Sequence, residues 1–524
     1  MASYAHTSID LDCPSIRLVR LLKGSWDSPI CCEIILSFLD EGIPYEALSY
    51  AWGDAKVTKD IELEGLRFPV TVNLESALRH LRPSETESDR ILWIDALTID
   101  QSNDRERGHQ VQQMDLIYRQ AERVIVWLGP ATGGSDEAIE FIHSIRLIRE
   151  KEGASGFQET YPEDFPESVF SLLNRSWFKR VWVIQEVANA RTLLIVCGRR
   201  TLTAAHFSHI QQIRAYVMLR ANLENPAIVD LLSKTPRERR AWRNTTPIFP
   251  LAYMFRGCQA SDLRDKVYAL RGISSASRSE LVVDYTKSAA QVWTNLALST
   301  IEETGTLDVL AYCDIHSPSN GISWLVLPSW VPNLQLNSAS SMSTSPMVYK
   351  GSKHYANFSF KSKCSPKLES GFLRGIYGLH FGGVVHVSPH AEGGAGYTLF
   401  KSFQEFVLFP AFSGDWYTMF LIQLQHLNQL FFELPQGDNE SEDIWHELYR
   451  TGDLGSEKLG DRLYWLVGAP APAIMRPTGS VPEKYEFIRF IHVSPLWTPQ
   501  PSPLRAQADG LLGRLPTLEE LRLV

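Results

Sequence analysis

Residues 91–129, ILWIDALTIDQSNDRERGHQVQQMDLIYRQAERVIVWLG, decide the fold. Ile91–Ile94 is apolar on both faces, as a strand in the middle of a parallel sheet must be. Asp95 closes that strand and a polar loop follows. Asn103, with Glu106 three residues on, has the spacing of a capping box and opens a helix. Val111, Met114, Tyr118 and Ala121 recur at helical period and give this helix a buried face. Val124–Leu128 is a second buried strand, ended by Gly129. Strand, helix and strand in that order form one crossover unit, which joins parallel strands.

Toward the N-terminus, Ile16–Leu21 and Ile30–Ser37 are β-rich runs around a turn region containing Gly24, Ser25 and Pro29, which predicts an antiparallel hairpin. Tyr45–Ala51 predicts a strand ending at Trp52-Gly53-Asp54. Ile61 and Leu63 face Phe68 and Val70 across Glu64-Gly65, a second hairpin. Asn73 reads as the N-cap of a helix whose apolar stripe is Leu74, Ala77, Leu78 and Leu81. Beyond Gly129, Glu137–Arg149 predicts a helix with Ala138, Phe141, Ile142 and Ile145 inward, and Lys151–Glu167 a polar loop or insertion. Trp177–Ala190 predicts one helix and Leu193–Cys197 a strand closed by Gly198.

Alternation of strand and helix over Tyr45–Gly198 predicts an α/β domain: a mostly parallel sheet with helices on its faces. Sites in such sheets lie beyond the carboxyl ends of the strands. Asp54, Asp95 and Gly129 each follow a strand and are expected on one rim. Five regions result: 1–43, a β-hairpin extension packing on the α/β domain; 44–198, that domain; 199–316, a helical region; 317–371, a linker or long loop; and 372–524, a smaller β-rich region. The linker rests on Ser317–Pro346, rich in Ser, Pro and Asn. In the last region Leu373–Val387, Asp461–Val467 and Tyr485–Val493 predict strands, with a helical insertion around Glu405–Phe432.

Composition narrows the function classes. The chain has 524 residues, 44% hydrophobic and 21% charged, which is ordinary for a globular protein. Net charge is −9, and the densest basic run, Arg237, Arg239, Arg240 and Arg243, is interrupted by Glu238. Binding through phosphate contacts needs a basic face, so no nucleic-acid partner is expected. Seven scattered Cys without a CxxC point to reduced thiols in a cytoplasmic protein, and away from a disulfide scaffold or zinc site. The first twenty residues lack an apolar signal core, and Trp416–Phe432 is broken by Gln423, Gln425, His426, Asn428 and Gln429, so no membrane span is expected. Neither GxxxxGK[ST] nor GxSxG occurs, which removes a built-in phosphate loop and a serine-hydrolase elbow.

Ala47–Gly53 (ALSYAWG), Trp93–Gln101 (WIDALTIDQ), Glu106–Ala121 and Val124–Gly129 together resemble the HET domain, the heterokaryon-incompatibility domain of filamentous fungi. A later family element, a helix carrying W-F-x-R-x-W-x-x-Q-E, is matched by Trp177, Phe178, Arg180, Trp182, Gln185 and Glu186. The family-motif positions are Trp52, Gly53, Asp95, Gln101, Glu106, Gln110, Tyr118, Trp127, Gly129 and Gln185. Thr98 and Asp100 stand where the family pattern has Cys and Asn, two departures from that pattern. The resemblance implies a role in non-self recognition and programmed death of fused cells, with other proteins as partners: an incompatibility partner or a further copy of the chain.

The order of elements is also similar to that of TIR domains. Trp182 and Glu186 have the W-x-x-x-E spacing of TIR domains that hydrolyse NAD, and i, i+4 residues share a helix face. That resemblance implies NAD as a substrate, with no resident cofactor. Glu186 would be the catalytic carboxylate, and Ser49, Asp95 and Trp182 would contact substrate. The bland readings stand beside it. Glu186 pairs with Arg180 or Arg191 at a helix surface; Asp95 caps its loop; Glu106 is a cap; Trp52, Trp93, Trp127 and Trp182 are core; His206 and His209 are helix residues without a third metal ligand.

Overall fold

A computed structural model of the chain describes residues 4–152, 166–210, 223–243, 245–275, 282–313 and 327–334, and strand segments between 367 and 523. The expected helical insertion around Glu405–Phe432 and most of the Ser317–Pro346 loop lie outside the described residues, as does most of Lys151–Glu167. Contacts divide the chain into two compact units, one of residues 1–288 with 334–337, the other of 289–333 with 338–524.

The first unit is built on a nine-stranded sheet. Its strands are β1 (Ser15–Leu21), β2 (Cys31–Phe38), β3 (Glu46–Tyr50), β4 (Thr58–Leu63), β5 (Leu66–Thr71), β6 (Arg90–Trp93), β7 (Arg123–Trp127), β8 (Leu193–Cys197) and β9 (Arg200–Thr203), in the order β5-β4-β2-β1-β6-β3-β7-β8-β9. The centre, β6-β3-β7-β8, is parallel. All five residues of β3 are buried, as the two-faced apolar pattern requires. Ser49 stands opposite Val126 and Tyr50 opposite Trp127, which sets the register at the carboxyl edge. Antiparallel strands flank this centre. The first hairpin enters through β1 against β6, with Val19 opposite Leu92. The second attaches through two parallel pairs, Cys31–Glu62 and Cys32–Leu63. Both hairpins thus extend the sheet edge to edge. Glu64 and Gly65 both adopt positive φ, +53° and +73°, the geometry of the tight hairpin turn whose twist matches its strands.

Helices cover the sheet: α1 (Val72–Leu81), α2 (Asp95–Thr98), α3 (Asp104–Gln120), α4 (Ser135–Glu152), α5 (Glu167–Leu173), α6 (Trp182–Asn189) and α7 (Ala204–Ile210). One apolar core runs from Val19 and Leu63 in the hairpins through Leu74, Leu78, Leu92 and Ile125 to Val196. The helix start at α1 differs from expectation. Thr71, not Asn73, is the N-cap, its hydroxyl accepting the Leu74 N–H. Asn73 lies inside the first turn and its side chain serves the sheet instead. The stretch expected as one helix from Trp177 is broken. Ser176–Lys179 is a 3-10 turn, Arg180 is extended, and α6 starts at Trp182. The break is held by a bridge in which Val181 N–H donates to the Gln259 carbonyl at 2.9 Å. Short helices Pro226–Ser233, Pro236–Trp242, Ile248–Met254 and Asp265–Tyr268 follow, the expected helical region.

In the second unit, helix Ala289–Thr304 and a 3-10 turn at Asp308–Tyr312 precede an eight-stranded sheet. The long strand Phe372–Val387 pairs antiparallel with Arg462–Leu466 and with Glu519–Leu523, so the sheet closes on itself through the last of these. No helix among the described residues is long and apolar enough to cross a membrane.

Candidate functional site

Three separate motifs meet at the carboxyl edge of the central strands. Ser49 comes from the end of β3, Asp95 from the turn after β6, and Glu186 from the middle of α6. The Ser49 hydroxyl donates to Glu186 Oε2. It is oriented by Trp177, whose Nε1 donates to Ser49 Oγ at 2.8 Å. Asp95 Oδ1 takes the Ala96 N–H at 2.8 Å and Oδ2 takes Trp52 Nε1 at 2.8 Å. Arg180 donates to the Tyr50 carbonyl, which holds its cation near both carboxyls.

The break before α6 makes this possible. An unbroken helix from Trp177 would carry Trp177 and Glu186 on one rod. The extended Arg180 lets Trp177 reach Ser49 from one side and Glu186 from the other. Glu186 is only 1% exposed. Burial raises its pKa to about 7, against the pull of Arg180 and the Ser49 hydrogen bond, and the nearby Asp95 charge adds to the rise. Burial also raises Asp95, opposed first by Arg180. Glu186, raised to about 7 beside Asp95 and one cation, can hold and release a proton near neutral pH. Glu186 makes no ion pair with Arg191, which instead donates to the Arg119 carbonyl at 2.8 Å.

The other motif residues build the frame. Glu106 is buried and forms a two-point ion pair with the fully buried Arg17 of β1, at 2.5 and 3.0 Å. It also accepts the Asp100 N–H at 2.7 Å. The capping box is therefore one-sided: Asn103 caps α3 through the Arg105 and Glu106 N–H groups, while the Glu106 carboxylate turns to Arg17. Gln110 donates to the Ser15 carbonyl at 2.8 Å and Tyr118 to the Leu48 carbonyl at 3.2 Å. Gln101 donates to the Asp95 carbonyl at 3.2 Å. Gln185 is buried, and a Cβ on Gly272 would press on both it and Asp115. Trp182 faces away from Ser49: its Nε1 donates to Asp265 at 3.1 Å, and Tyr285 holds the same carboxyl at 2.8 Å. Burial raises that Asp265 carboxyl to about 6. His206 Nδ1 accepts the Thr203 N–H at 3.0 Å at the start of α7.

Beside the acid cluster lies a cleft of about 500 Å3 at the head of α1. Trp52, Gly53, Asp54 and Pro130 border it with Asn73. Gly53 and Gly129 turn with φ of +78° and +106°, which suits glycine alone. Asn73 bridges them, donating to the Ala51 carbonyl at 2.6 Å and accepting Trp127 Nε1 at 3.0 Å. Neither Glu186 nor Asp95 is among the residues that border the cleft. Trp93 and Trp127 are core, whereas Trp52 is partly exposed and links cleft to acid cluster through its hydrogen bond to Asp95. Sequence reasoning missed Trp177 as the orienter of Ser49, Arg17 as the partner of Glu106, and the bridging role of Asn73. An Arg in the middle of the apolar strand IRLVRL was the one visible signal, since a charge there needs a buried partner.

The family model described as Heterokaryon incompatibility protein (HET) matches residues 45–186, which begin beside β3 and end on Glu186. The chain carries a HET domain. It is also similar to "Heterokaryon incompatibility protein 6, OR allele" of Neurospora crassa, 29% identical over 413 residues, covering 63% of this chain and 59% of that protein. The match thus spans less than two thirds of that relative's length. No solved structure matches the chain. The HET model encloses Ser49, Trp52, Asp95, Trp177, Arg180 and Glu186, the residues that meet at the rim. The first hairpin, which supplies Arg17, lies before the matched range but is part of the same sheet.

Proposed function

We propose that this chain acts in fungal non-self recognition, as a heterokaryon-incompatibility protein whose HET domain commits a fused cell to death. One observation carries the reading: Ser49, Trp177 and Glu186, far apart in sequence, are hydrogen-bonded together at the carboxyl edge of the sheet, and Asp95, held by Trp52, lies close enough for its charge to act on Glu186. That edge is where α/β sheets place their sites. The similarity to the Neurospora crassa protein supports the biological setting. Deleting the chain from one of two incompatible strains should give stable fused cells. Fused cells that still die at the parental rate would overturn the role.

Within that role the cluster supports cleavage of the nicotinamide–ribose bond of NAD. Such a reaction passes through an oxocarbenium-like state, which a nearby carboxylate stabilises. Glu186, ionising near pH 7 beside Asp95, is the group suited to it. Its burial sets a condition: NAD must displace the Ser49–Trp177 pair to reach the carboxylate. The same sealing favours a second reading, in which the HET domain only recruits another effector. Incubating the purified chain with NAD, with and without a crowding agent, separates them. Loss of NAD that Glu186→Gln abolishes supports hydrolysis; loss that persists in Glu186→Gln removes Glu186 as its acid; no loss under either condition favours recruitment.

A further inference from the structure

Glu186 is sealed, yet an open cleft lies one side chain away from its cluster. That side chain is Trp52. It borders the cleft of about 500 Å3, and its Nε1 donates to Asp95 Oδ2 at 2.8 Å. Asp95 is in turn close enough to Glu186 for its charge to act there. Exposure falls along the same line: Gly53 and Asp54 are exposed, Trp52 and Asp95 are half-buried, and Glu186 is buried. The indole is thus a wall shared by the cleft and the acid cluster. On the cleft side, Trp26, Val57 and Val72 are among the large apolar side chains that remain exposed. Single exposed apolar residues need no explanation, but several gathered on one cavity mark a place where a ligand lodges.

The local backbone lets this wall move. The chain leaves β3 pinned at two carbonyls, Tyr50 by Arg180 and Ala51 by Asn73, the latter at 2.6 Å. Residues 51–54 then lie in no helix or strand. Gly53 has φ of +78°, and a Cβ there would meet only Asn73 Cβ, at 3.8 Å, so the space beside it is open. A glycine next to a half-buried ring between a pinned strand end and an exposed turn is placed as a hinge. Trp127, at the end of the neighbouring strand, makes the contrast: it is wholly buried and its Nε1 is held by Asn73 inside the sheet edge. Trp52 only packs against the margin of the core, and among the described residues its indole N–H has Asp95 as its one acceptor. We propose that Trp52 is a gate: its indole closes the way from the cleft to Glu186 and swings off Asp95 to admit the reacting end of the substrate. The gate rests on the reading of Glu186 as the working carboxylate, and adds the route by which a sealed acid is reached. Opening breaks one hydrogen bond of Asp95 and leaves the other, from the Ala96 N–H, in place.

Carboxyl labelling of the full chain tests the gate without any need for turnover. The reagent is a water-soluble carbodiimide with glycine ethyl ester, and peptide mass spectrometry gives the rate at each acid. Trp52→Ala should speed labelling of Glu186 at least about ten-fold, as expected when opening no longer breaks a hydrogen bond to a carboxylate. Trp52→Phe keeps a ring but has no N–H, and its rate should fall between those of the parent and Trp52→Ala. Glu106 and Asp115 are also buried, but they are held by Arg17 and Arg119. Both should label at the parental rate in each variant, which separates opening at one place from loosening of the whole domain. Should Trp52→Ala fail to fold, Trp52→Phe decides by the same comparison. Labelling of Glu186 left unchanged by either folded variant, or raised equally at Glu106 and Asp115, overturns the gate. The hydrolysis reading fails separately. Faster labelling of Glu186 in a chain that consumes no NAD upholds the gate alone, whereas NAD loss that Glu186→Gln abolishes, with labelling unchanged in the Trp52 variants, upholds hydrolysis and overturns the gate.

Discussion

At the scale of single residues, Glu186 shows what burial does to an acid. Its carboxyl keeps a proton to about pH 7, whereas the same group in the unfolded chain loses it near 4.5. The folded state therefore binds more protons between these values, and stability falls as pH rises across that window. The favourable contribution is complete below pH 4.5 and gone above about 7, an amount of about 3 kcal/mol. Urea unfolding at a series of pH values should show a decline from pH 4.5 to 7 that Glu186→Gln flattens. An identical decline in the variant would mean that another group titrates. Glu186 was visible in the sequence as part of a motif, and so was Ser49. That they touch was not, because their contact joins residues 137 positions apart through a helix break. Nothing local announces the extended Arg180; the Gln259 strand bridge imposes it from a distant segment.

At the scale of elements, the central strands were legible because burial on both faces leaves a continuous apolar run. The hairpins were legible too, through Glu64-Gly65 and the turn at Gly24 to Pro29. Their membership of the main sheet was not, since edge pairing is made by backbone groups that every residue has. The N-cap of α1 moved from Asn73 to Thr71 for a related reason: both residues are good caps, and the sheet claimed Asn73. Connections at the carboxyl edge depend on glycines with positive φ. Gly198, at +55°, lies so close to Ala131 that a Cβ would come within 2.9 Å of its Cβ and its N. Gly198→Ala should cost about 1–3 kcal/mol from backbone strain and overlap combined, read as a lowered urea midpoint at unchanged slope. A variant as stable as the parent would show that the β8–β9 turn relaxes freely.

At the scale of the molecule, the HET model ends at Glu186 while the first compact unit continues to residue 288. The difference has a physical cause. Strand β9 completes the edge beyond β8, Trp182 is tied to Asp265, and Gln259 bridges Arg180. The stretch DLRDKVYALRGI, Asp262–Ile273, thus supports the helix that carries Glu186. A fragment of residues 1–288 should unfold cooperatively, whereas one ending at Gly198 should lose cooperativity, as followed by circular dichroism during heating. Equal cooperativity in both would show that the later segment does not support the domain. The account as a whole rests on the Glu186 cluster being the working centre of the HET domain. The most direct measurement is the survival of fused fungal cells carrying the full chain or Glu186→Gln, at matched protein abundance. The account predicts death with the parent chain and survival with the variant; death at equal rates with a folded Glu186→Gln chain would contradict it.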